Sequence, residues 1–397
     1  MIERPRQAII LAGGRGTRLG ELTAHRPKAM VEIHGKPFLA YLVEMLREQG
    51  FQRLLLLLGY LPEVIQDYFK DGRDWGIKIE YSVTQPDDLT CHRMKVAKSM
   101  IEPCFLLMYC DNYWPLQMNK MWEKFVAAKV PAMTTVYSNK DKYSKDRVLV
   151  GKDDCIEIFD RAPTTPGLQG VEISYAILMK EVLDLMPQQD ELFEQAVYPS
   201  LVKQRKLLAY VTDHRYYSVG SAERLPLTQS FLSRDPTIIL DRDGVLNKKP
   251  QKAEYVRKWE EFEWLPGAKE SLRLFAKAGY RTIIVSNQAG IARQEMSEED
   301  LLRIHDRMQI EVLRAEGRID QIYYCKHGWD EGCDCRKPKP GMLFQAQRDF
   351  SLDLTRTVFI GDDDRDGQAA AAAGCPYFQV NDEISLLDIT NKLLGSS

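Results

Sequence analysis

Ile238-Ile239-Leu240-Asp241-Arg242-Asp243-Gly244-Val245-Leu246-Asn247 is a hydrophobic run that stops on two acids, and it decides how the second half of this 397-residue chain is read. A β-branched run of this kind reads as a buried strand whose end delivers two carboxylates two residues apart. One of them can attack phosphorus while the next protonates the leaving alcohol and later activates water. The chemistry implied is nucleophilic phosphoryl transfer. Thr237 to Leu240 is followed by a helical pattern from about Ala268 to Ala278 and by a strand at Arg281 to Ser286, the alternation of an α/β fold. Ile283-Ile284-Val285-Ser286-Asn287-Gln288 ends in a hydroxyl and two amides, suited to a phosphate. Arg336-Lys337-Pro338-Lys339-Pro340-Gly341-Met342 then places cations beside a helix start, and Val358 to Asp366 is again a strand that ends in acids.

Between these segments lie Cys325-Lys326-His327 and Cys333-Asp334-Cys335, four soft or borderline ligands on one loop. Two such clips can close a tetrahedron around Zn²⁺ with no open position, which reads as structural rather than catalytic. Two disulfides and a coincidental cluster stay as alternatives. The other five cysteines are scattered and read as small core residues of a reducing compartment.

The first half opens on Leu11-Ala12-Gly13-Gly14-Arg15-Gly16-Thr17-Arg18-Leu19 after a strand at Ala8 to Ala12. Glycines there let backbone N–H groups turn toward a phosphate, and Arg18 adds fixed charge. A dinucleotide fingerprint fits poorly, because Leu19 stands where the third glycine belongs and Pro27 follows. Arg26-Pro27-Lys28-Ala29-Met30 then offers a lysine that can reach the α-phosphate region as a sugar phosphate displaces pyrophosphate. The patterns at Phe38 to Gln49, Arg53 to Leu58 and Leu61 to Phe69 alternate helix and strand and predict a parallel sheet with crossover helices. Phe105-Leu106-Leu107-Met108-Tyr109-Cys110-Asp111-Asn112 is a further strand ending in an acid, which is either a cap or a metal ligand.

A chain of 397 residues is long for one core, so two domains are expected, residues 1–232 and 233–397, with Pro226 to Pro236 as the linker. The fold class is α/β, with two Rossmann-like three-layer domains. A formal net charge of -3, from 54 basic and 57 acidic residues, invites neither a nucleic-acid backbone nor an anionic membrane. The longest apolar run, Leu54 to Leu58, is far short of a membrane span, and the first residues lack a signal-peptide pattern, so a cytoplasmic location is expected.

The glycine loop, the Arg26 to Met30 segment and Gly35-Lys36-Pro37-Phe38 resemble the N-terminal signature of the sugar-phosphate nucleotidyltransferases, particularly the heptose-1-phosphate and mannose-1-phosphate guanylyltransferases. The resemblance covers roughly residues 6 to 225. It implies that Arg18 and Lys28 bind and activate a nucleoside triphosphate, GTP by preference, over Gly13, Gly14, Gly16 and Thr17. It also implies that Asp111 holds Mg²⁺, that Asp160-Arg161 contacts sugar and phosphate, and that Glu172 meets a sugar hydroxyl. Two departures stand out. Leu89-Thr90-Cys91-His92-Arg93-Met94-Lys95 replaces a small, glycine-rich segment, and Ser218 stands where relatives carry a second metal-binding aspartate.

The second half resembles the haloacid dehalogenase superfamily, whose signatures follow in order. The match implies Asp241 as nucleophile, Asp243 as general acid/base, Ser286 and Asn287 as phosphate ligands, and Arg336 as a substrate contact. Lys337 would neutralise transition-state charge, and Asp362 would complete a Mg²⁺ site with Asp241 and the carbonyl of Asp243. The wording of the zinc loop, with Cys325, His327, Cys333 and Cys335, resembles D-glycero-D-manno-heptose 1,7-bisphosphate phosphatases. Histidinol-phosphate phosphatases share that loop but more often have threonine where Val245 stands. Relatives often have lysine where Asp363 stands, and the extra acid either recruits metal or alters phosphate contacts. Together the resemblances imply a fusion of consecutive steps, with heptose phosphates and a nucleoside triphosphate as partners. The alternatives are a working phosphatase with a nucleotide- or sugar-phosphate-sensing first domain, and a phosphatase for another monoester fused to an unrelated sugar nucleotidyltransferase.

Overall fold

The structure is a computed structural model that describes residues 3–160, 165–251 and 253–395. The chain divides into two compact units, Met1–Leu232 and Ser233–Ser397.

In chain order the first unit contains β1 (Gln7–Ala12), a hairpin of β2 (Glu32–Ile33) and β3 (Lys36–Pro37), α1 (Phe38–Glu48), β4 (Arg53–Leu58), α2 (Pro62–Phe69), β5 (Lys78–Val83) and α3 (Thr90–Val96). It continues with β6 (Cys104–Tyr109), β7 (Asn112–Tyr113), α4 (Met118–Ala128), β8 (Ala132–Tyr137), the pair β9 (Val148–Val150) and β10 (Ile156–Phe159), and β11 (Val171–Met179). It closes with α5 (Phe193–Lys203), β12 (Leu207–Thr212), β13 (Tyr217–Ser218) and α6 (Leu225–Leu232). The main sheet has seven strands in the order β12-β8-β11-β6-β1-β4-β5. Alternate residues of β1 explain its layers: Ala8, Ile10 and Ala12 enter one hydrophobic core, Ile9 and Leu11 the other. A strand buried on both faces must be covered on both, which is why its sequence is continuously apolar.

Two expectations are corrected here. The sheet is mixed rather than parallel, because β11 runs antiparallel to both β6 and β8. Strand patterning reports burial, not direction, so this reversal left no mark in the sequence. The segment from Pro226 is not a linker either. It forms most of α6, where proline is tolerated in the first turn, and Phe231 stacks on Tyr217 with ring centroids 3.9 Å apart. Only residues 233–236 connect α6 to the next strand.

The second unit contains β14 (Thr237–Leu240), α7 (Ala268–Lys277), β15 (Arg281–Asn287), α8 (Glu298–Arg314), β16 (Gln321–Cys325), α9 (Gly341–Phe350), β17 (Val358–Gly361), α10 (Asp364–Ala373), β18 (Tyr377–Gln379) and α11 (Leu386–Leu394). Its five strands are all parallel, in the order β16-β15-β14-β17-β18. Ile238 and Leu240 face one core and Ile239 the other, again a three-layer arrangement. α7 buries Ala268, Ser271, Leu272 and Phe275, the i, i+3, i+4, i+7 stripe of a helix lying on a sheet. Among the described residues no helix is long and apolar enough to cross a membrane.

Candidate active sites

In parallel α/β sheets ligands collect at the carboxyl ends of the strands, and the central strands of the second unit end in its polar residues. β14 runs into Asp241, β15 ends on Ser286 and Asn287, and β17 runs into Asp362. They line a cavity of about 960 Å³ together with Lys249, Trp329 and Arg336. Asp241, Asp362 and Asp366 each bring a carboxylate oxygen within 4.8 Å of the others.

One cation answers this cluster from within. The Lys337 ammonium lies 2.9 Å from Asp241 Oδ1 and 2.7 Å from Asp366 Oδ1, and donates to the Val285 carbonyl at 3.1 Å. It is 3% exposed, so these partners take nearly all its hydrogen-bonding capacity. Asn287 fixes the same residue through the backbone: its amide donates to the Lys337 carbonyl and accepts from the Lys337 N–H. The expected phosphate ligand thus spends both ends of its amide on holding Lys337. Burial pushes the Asp241 carboxyl up against the pull of Lys337, and Asp366 and Asp243 add to the rise. Asp241 and Asp366 share this one lysine, so the pair is short of positive charge.

The residues fit a divalent cation. Asp362 Oδ1 is buried with no hydrogen-bond partner, an orphaned lone pair of the kind a hard cation takes. Its other oxygen meets Lys249 at 2.8 Å. Asp366 differs from Asp362: Oδ2 accepts from the N–H groups of Asp362 and Asp363 while Oδ1 meets Lys337. Its lone pairs are engaged, and its place is to hold Lys337 and the start of α10. Gly244 passes over this cluster at φ +93°, where a Cβ would come within 2.2 Å of Asp362 Oδ2. Glycine is required there on both counts.

Asp243 is held apart from the cluster. The buried guanidinium of Arg242 grips its two oxygens at 2.9 to 3.3 Å, Asn247 donates to it at 2.9 Å and Gln288 at 3.0 Å. Ser286 Oγ lies 3.5 Å from the same carboxylate. Burial would raise the Asp243 carboxyl, but Arg242 and these donors outweigh it and hold the group below the usual range. Behind Arg242 stands His305, Nε2 at 3.3 Å from Nη1, buried and pushed down to about 3 by burial and by the guanidinium.

That imidazole gives a pH prediction. Its folded value lies below the usual 6.5, so as pH falls from 6.5 toward 3 the unfolded chain takes a proton the folded one refuses. The stabilisation is complete above pH 6.5 and is lost across that window, at up to about 1.4 kcal/mol per pH unit. Denaturant melts of the second unit's transition should show a shallower acid slope in His305→Asn than in the wild type. Equal slopes would mean that the imidazole titrates normally.

Asp363 neither joins the acid cluster nor faces the cavity unneutralised. It caps α10 in a capping box with Asp366 and pairs with Arg365 at 2.8 Å and with Lys249 at 3.0 Å. Those contacts, Arg365 first, hold its carboxyl far below the usual range despite some burial.

At the loop after β16, the sulfur atoms of Cys325, Cys333 and Cys335 lie 3.3 to 3.6 Å apart, and His327 Nδ1 is 3.2 Å from Cys335 and 3.6 Å from Cys325. Tetrahedral zinc–sulfur bonds of 2.3 Å put ligand atoms about 3.8 Å apart, whereas a disulfide needs about 2.05 Å. All four groups fit a closed zinc site, and all eight cysteines are free thiols. Arg336, half-buried, and Lys337 follow this loop directly.

In the first unit the glycine loop follows β1. Gly16 has φ +69°, and a Cβ there would come 2.8 Å from the Lys28 side chain, so loop and lysine are in contact. Lys28 forms an ion pair with Asp111, which follows β6. Ser218 joins them, for a Cβ on Gly220 would lie 3.0 Å from Ser218 Oγ, 3.7 Å from Asp111 and 3.8 Å from Lys28 Nζ. Thr17 and Arg18 are exposed at the rim, and Arg18 makes no ion pair among the described residues. Glu172, on β11 beside β6, accepts from Thr134 Oγ1 at 2.8 Å and from the Ser174 N–H at 2.7 Å. Asp160 accepts from Thr165, and Arg161 lies outside the described residues.

Sequence reasoning missed Asp366, Lys249, Arg242 and Gln288 as members of these sites. The i+4 spacing of Asp366 from Asp362 across a helix start was a usable signal, while nothing marks Lys249 among other lysines.

A parallel sheet whose strand ends gather paired acids and a buried lysine, and a mixed sheet with a glycine loop over a lysine–aspartate pair, define an α/β enzyme built for phosphoryl and nucleotidyl chemistry. Residues 7–225 match the nucleotidyl transferase family and residues 334–389 the HAD-hydrolase-like family. The D-glycero-alpha-D-manno-heptose-1,7-bisphosphate 7-phosphatase of Campylobacter jejuni is 43% identical over 136 residues, 34% of this chain and 76% of that protein. The D-glycero-beta-D-manno-heptose-1,7-bisphosphate 7-phosphatase of Pseudomonas putida is 40% identical over 137 residues, 34% of this chain and 77% of that protein. Among solved structures, HddC from Yersinia pseudotuberculosis is 25% identical with a TM-score of 0.49, covering 57% of this chain and 99% of that one. The chain belongs to the nucleotidyl transferase family through its first unit and to the heptose-1,7-bisphosphate phosphatases of the HAD superfamily through its second.

Proposed function

We propose that the chain is a bifunctional enzyme of nucleotide-activated heptose biosynthesis. The second unit removes the 7-phosphate of D-glycero-D-manno-heptose 1,7-bisphosphate. The first transfers a nucleotidyl group, guanylyl by preference, from a nucleoside triphosphate to the heptose 1-phosphate so formed. The observation that carries the reading is Lys337, buried and bonded to both Asp241 and Asp366 beside the partnerless Oδ1 of Asp362.

In this reading an oxygen of Asp241 attacks phosphorus, the bond to the sugar oxygen breaks, and Asp243 gives that oxygen its proton. Heptose 1-phosphate leaves and Asp241 carries the phosphoryl group. Asp243, now ionised, takes a proton from water, whose oxygen attacks the same phosphorus and releases phosphate and the free carboxylate. The grip of Arg242 on Asp243 favours the ionised state this second half needs and works against the protonated state of the first, so the minority of Asp243 that holds a proton starts a turnover. Lys337 fixes the direction of Asp241 and offsets charge on the phosphoryl oxygens, with Ser286 and Arg336 as further contacts. Magnesium held by Asp241, Asp362 and the Asp243 carbonyl would supply further neutralisation of that charge. The zinc loop keeps Arg336 and Lys337 in place and takes no part in the chemistry.

In the first unit an oxygen of the sugar 1-phosphate attacks the α-phosphorus and pyrophosphate leaves. Gly13, Gly14, Gly16 and Thr17 cradle the triphosphate through their N–H groups, and Arg18 and Lys28 offset its charge. Asp111, paired here with Lys28, would hold a magnesium ion that supplies further neutralisation of the triphosphate. Glu172 and Arg161 are the proposed sugar-phosphate contacts. The free thiols fit a reducing compartment such as the cytoplasm. Ser218 beside Asp111 leaves one carboxylate where two would hold a metal more firmly, which favours a second reading of the first unit as a nucleotide sensor.

The test is to incubate the protein with heptose 1,7-bisphosphate, Mg²⁺ and each nucleoside triphosphate in turn, and to follow products by mass spectrometry. Phosphate, then pyrophosphate and a nucleotide-activated heptose, with GTP the best donor, are the expected products. Phosphate without pyrophosphate, together with saturable GTP binding, would convert the first unit to the sensor reading. Faster turnover of histidinol phosphate than of the heptose ester would overturn the substrate assignment.

A further inference from the structure

α3 places a charged side chain where the sequence offers no reason to expect one. Arg93 is 3% exposed, and its guanidinium lies in the space that Gly13 and Gly59 leave by having no side chains. A Cβ on Gly13 would fall 2.2 Å from Arg93 Cζ, and one on Gly59 would fall 2.5 Å from Nη1. From there Nη1 donates to the Leu58 carbonyl at 2.6 Å and to Thr84 Oγ1 at 2.7 Å. Nη2 donates to the carbonyls of Gln85 at 3.0 Å, Pro86 at 3.2 Å and Gly13 at 3.4 Å. Gly13, Leu58 and Thr84 to Pro86 stand at the carboxyl ends of β1, β4 and β5, three adjacent strands. One side chain therefore ties together the edge of the sheet from which the glycine loop departs.

The helix that carries Arg93 is itself strapped down. Asp190 accepts from the N–H groups of Leu89 at 2.7 Å and His92 at 3.0 Å, and Thr90 Oγ1 accepts from the Phe193 N–H at 2.7 Å. Lys95 donates to the carbonyls of Pro187 and Gln188. Held at its start by another segment, the helix can press its guanidinium under the loop. Among the described residues no carboxylate lies within ion-pair distance of Arg93; Asp88 and Asp190 act on it only from farther away, so much of its charge remains directly beneath the anion cradle. Burying an unpaired cation is costly, and an anion bound above it recovers part of that cost.

We infer that Arg93 is a positioning residue for the nucleoside triphosphate: by holding the carbonyls of Gly13, Gln85 and Pro86 it sets the loop's N–H groups toward the phosphates, and its charge favours the bound anion. The inference rests on the nucleotidyltransferase reading of the first unit. Lysine in its place keeps the charge but lacks the planar fork, and reaches at most some of the five acceptors.

The test uses the full chain and the variants Arg93→Lys, Arg93→Met and Thr84→Val, each checked for a cooperative melt. GTP affinity is measured by equilibrium titration, and KM for GTP, KM for heptose 1-phosphate and kcat by pyrophosphate release. In Arg93→Lys the GTP Kd and KM should rise by about tenfold or more, the size expected for losing charged hydrogen bonds. The KM for heptose 1-phosphate should change by less than about twofold on the same reasoning. Arg93→Met should be weaker still, and Thr84→Val, which removes a single acceptor, should show a smaller rise in the same constant. A folded Arg93→Lys with wild-type GTP Kd would overturn the inference, as would a loss of stability with neither KM moved. If Arg93→Met does not fold, the other two variants decide. A wild-type protein that binds GTP but releases no pyrophosphate would sink the transferase reading alone, while the titrations would still judge Arg93.

Discussion

Asp241→Asn abolishes phosphate release and leaves nucleotidyl transfer onto supplied heptose 1-phosphate at the wild-type rate: that is the expected result of the most informative single substitution. An amide of the same shape keeps the cavity but is no nucleophile at phosphorus, and loss of a covalent catalyst lowers rates by at least about 10³-fold. The variant should also fold well. Asp241 shares a single buried lysine with Asp366, and removing its charge relieves the repulsion between them while Asp366 keeps its bond to Lys337 at 2.7 Å. Phosphate release and pyrophosphate release, assayed on the same preparation, give the check. Loss of both would mean that the two chemistries do not reside in separate units.

Cys335→Ser, or exhaustive chelation of zinc, is expected to cost the second unit much of its stability and its phosphatase activity together. The four ligands come from a loop that spans Cys325 to Cys335 and leads straight into Arg336 and Lys337. Their spacing has no disulfide to fall back on. Structural zinc contributes about 10–16 kcal/mol in small metal-folded domains, and even a third of that would lower the melting temperature of a unit this size by roughly 10 °C or more. Metal analysis should find one zinc per chain in the wild type and none in the variant, and the melt and phosphate release should fall with it. The first unit's melt and pyrophosphate release should be unchanged. A zinc-free variant with full activity would contradict a role for this loop in holding Lys337.

The framework of both sites was visible in the chain because it depends on local patterns. β14 reads as a strand from a threonine and three apolar residues, and whatever follows such a strand in a parallel sheet must emerge at the ligand-binding edge, which places Asp241. Cys325, His327, Cys333 and Cys335 are legible because metal ligands recur at short spacing. What stayed hidden depends on contacts between distant segments. Lys249 meets Asp362 across 113 residues, and no local pattern foretells that pairing. The burial of Arg93 carries no local mark, because it follows from the absence of side chains at Gly13 and Gly59. The antiparallel β11 was illegible for another reason, since a strand buried on both faces has the same composition in either direction. The residues after Leu225 read as connecting chain from their prolines and turn residues, yet Phe231 and Leu232 carry the apolar pair that packs α6 down.

The chemistry of the second unit rests on a covalent step at one carboxylate. The direct measurement is to mix the protein with heptose 1,7-bisphosphate and Mg²⁺, quench with borohydride during turnover, and sequence the peptide spanning β14 by mass spectrometry. An acyl phosphate is reduced to the alcohol, so position 241 should appear as homoserine, only with substrate present and not in Asp241→Asn. Rapid phosphate release with position 241 recovered wholly as aspartate would show that water attacks the ester directly, and would contradict the account.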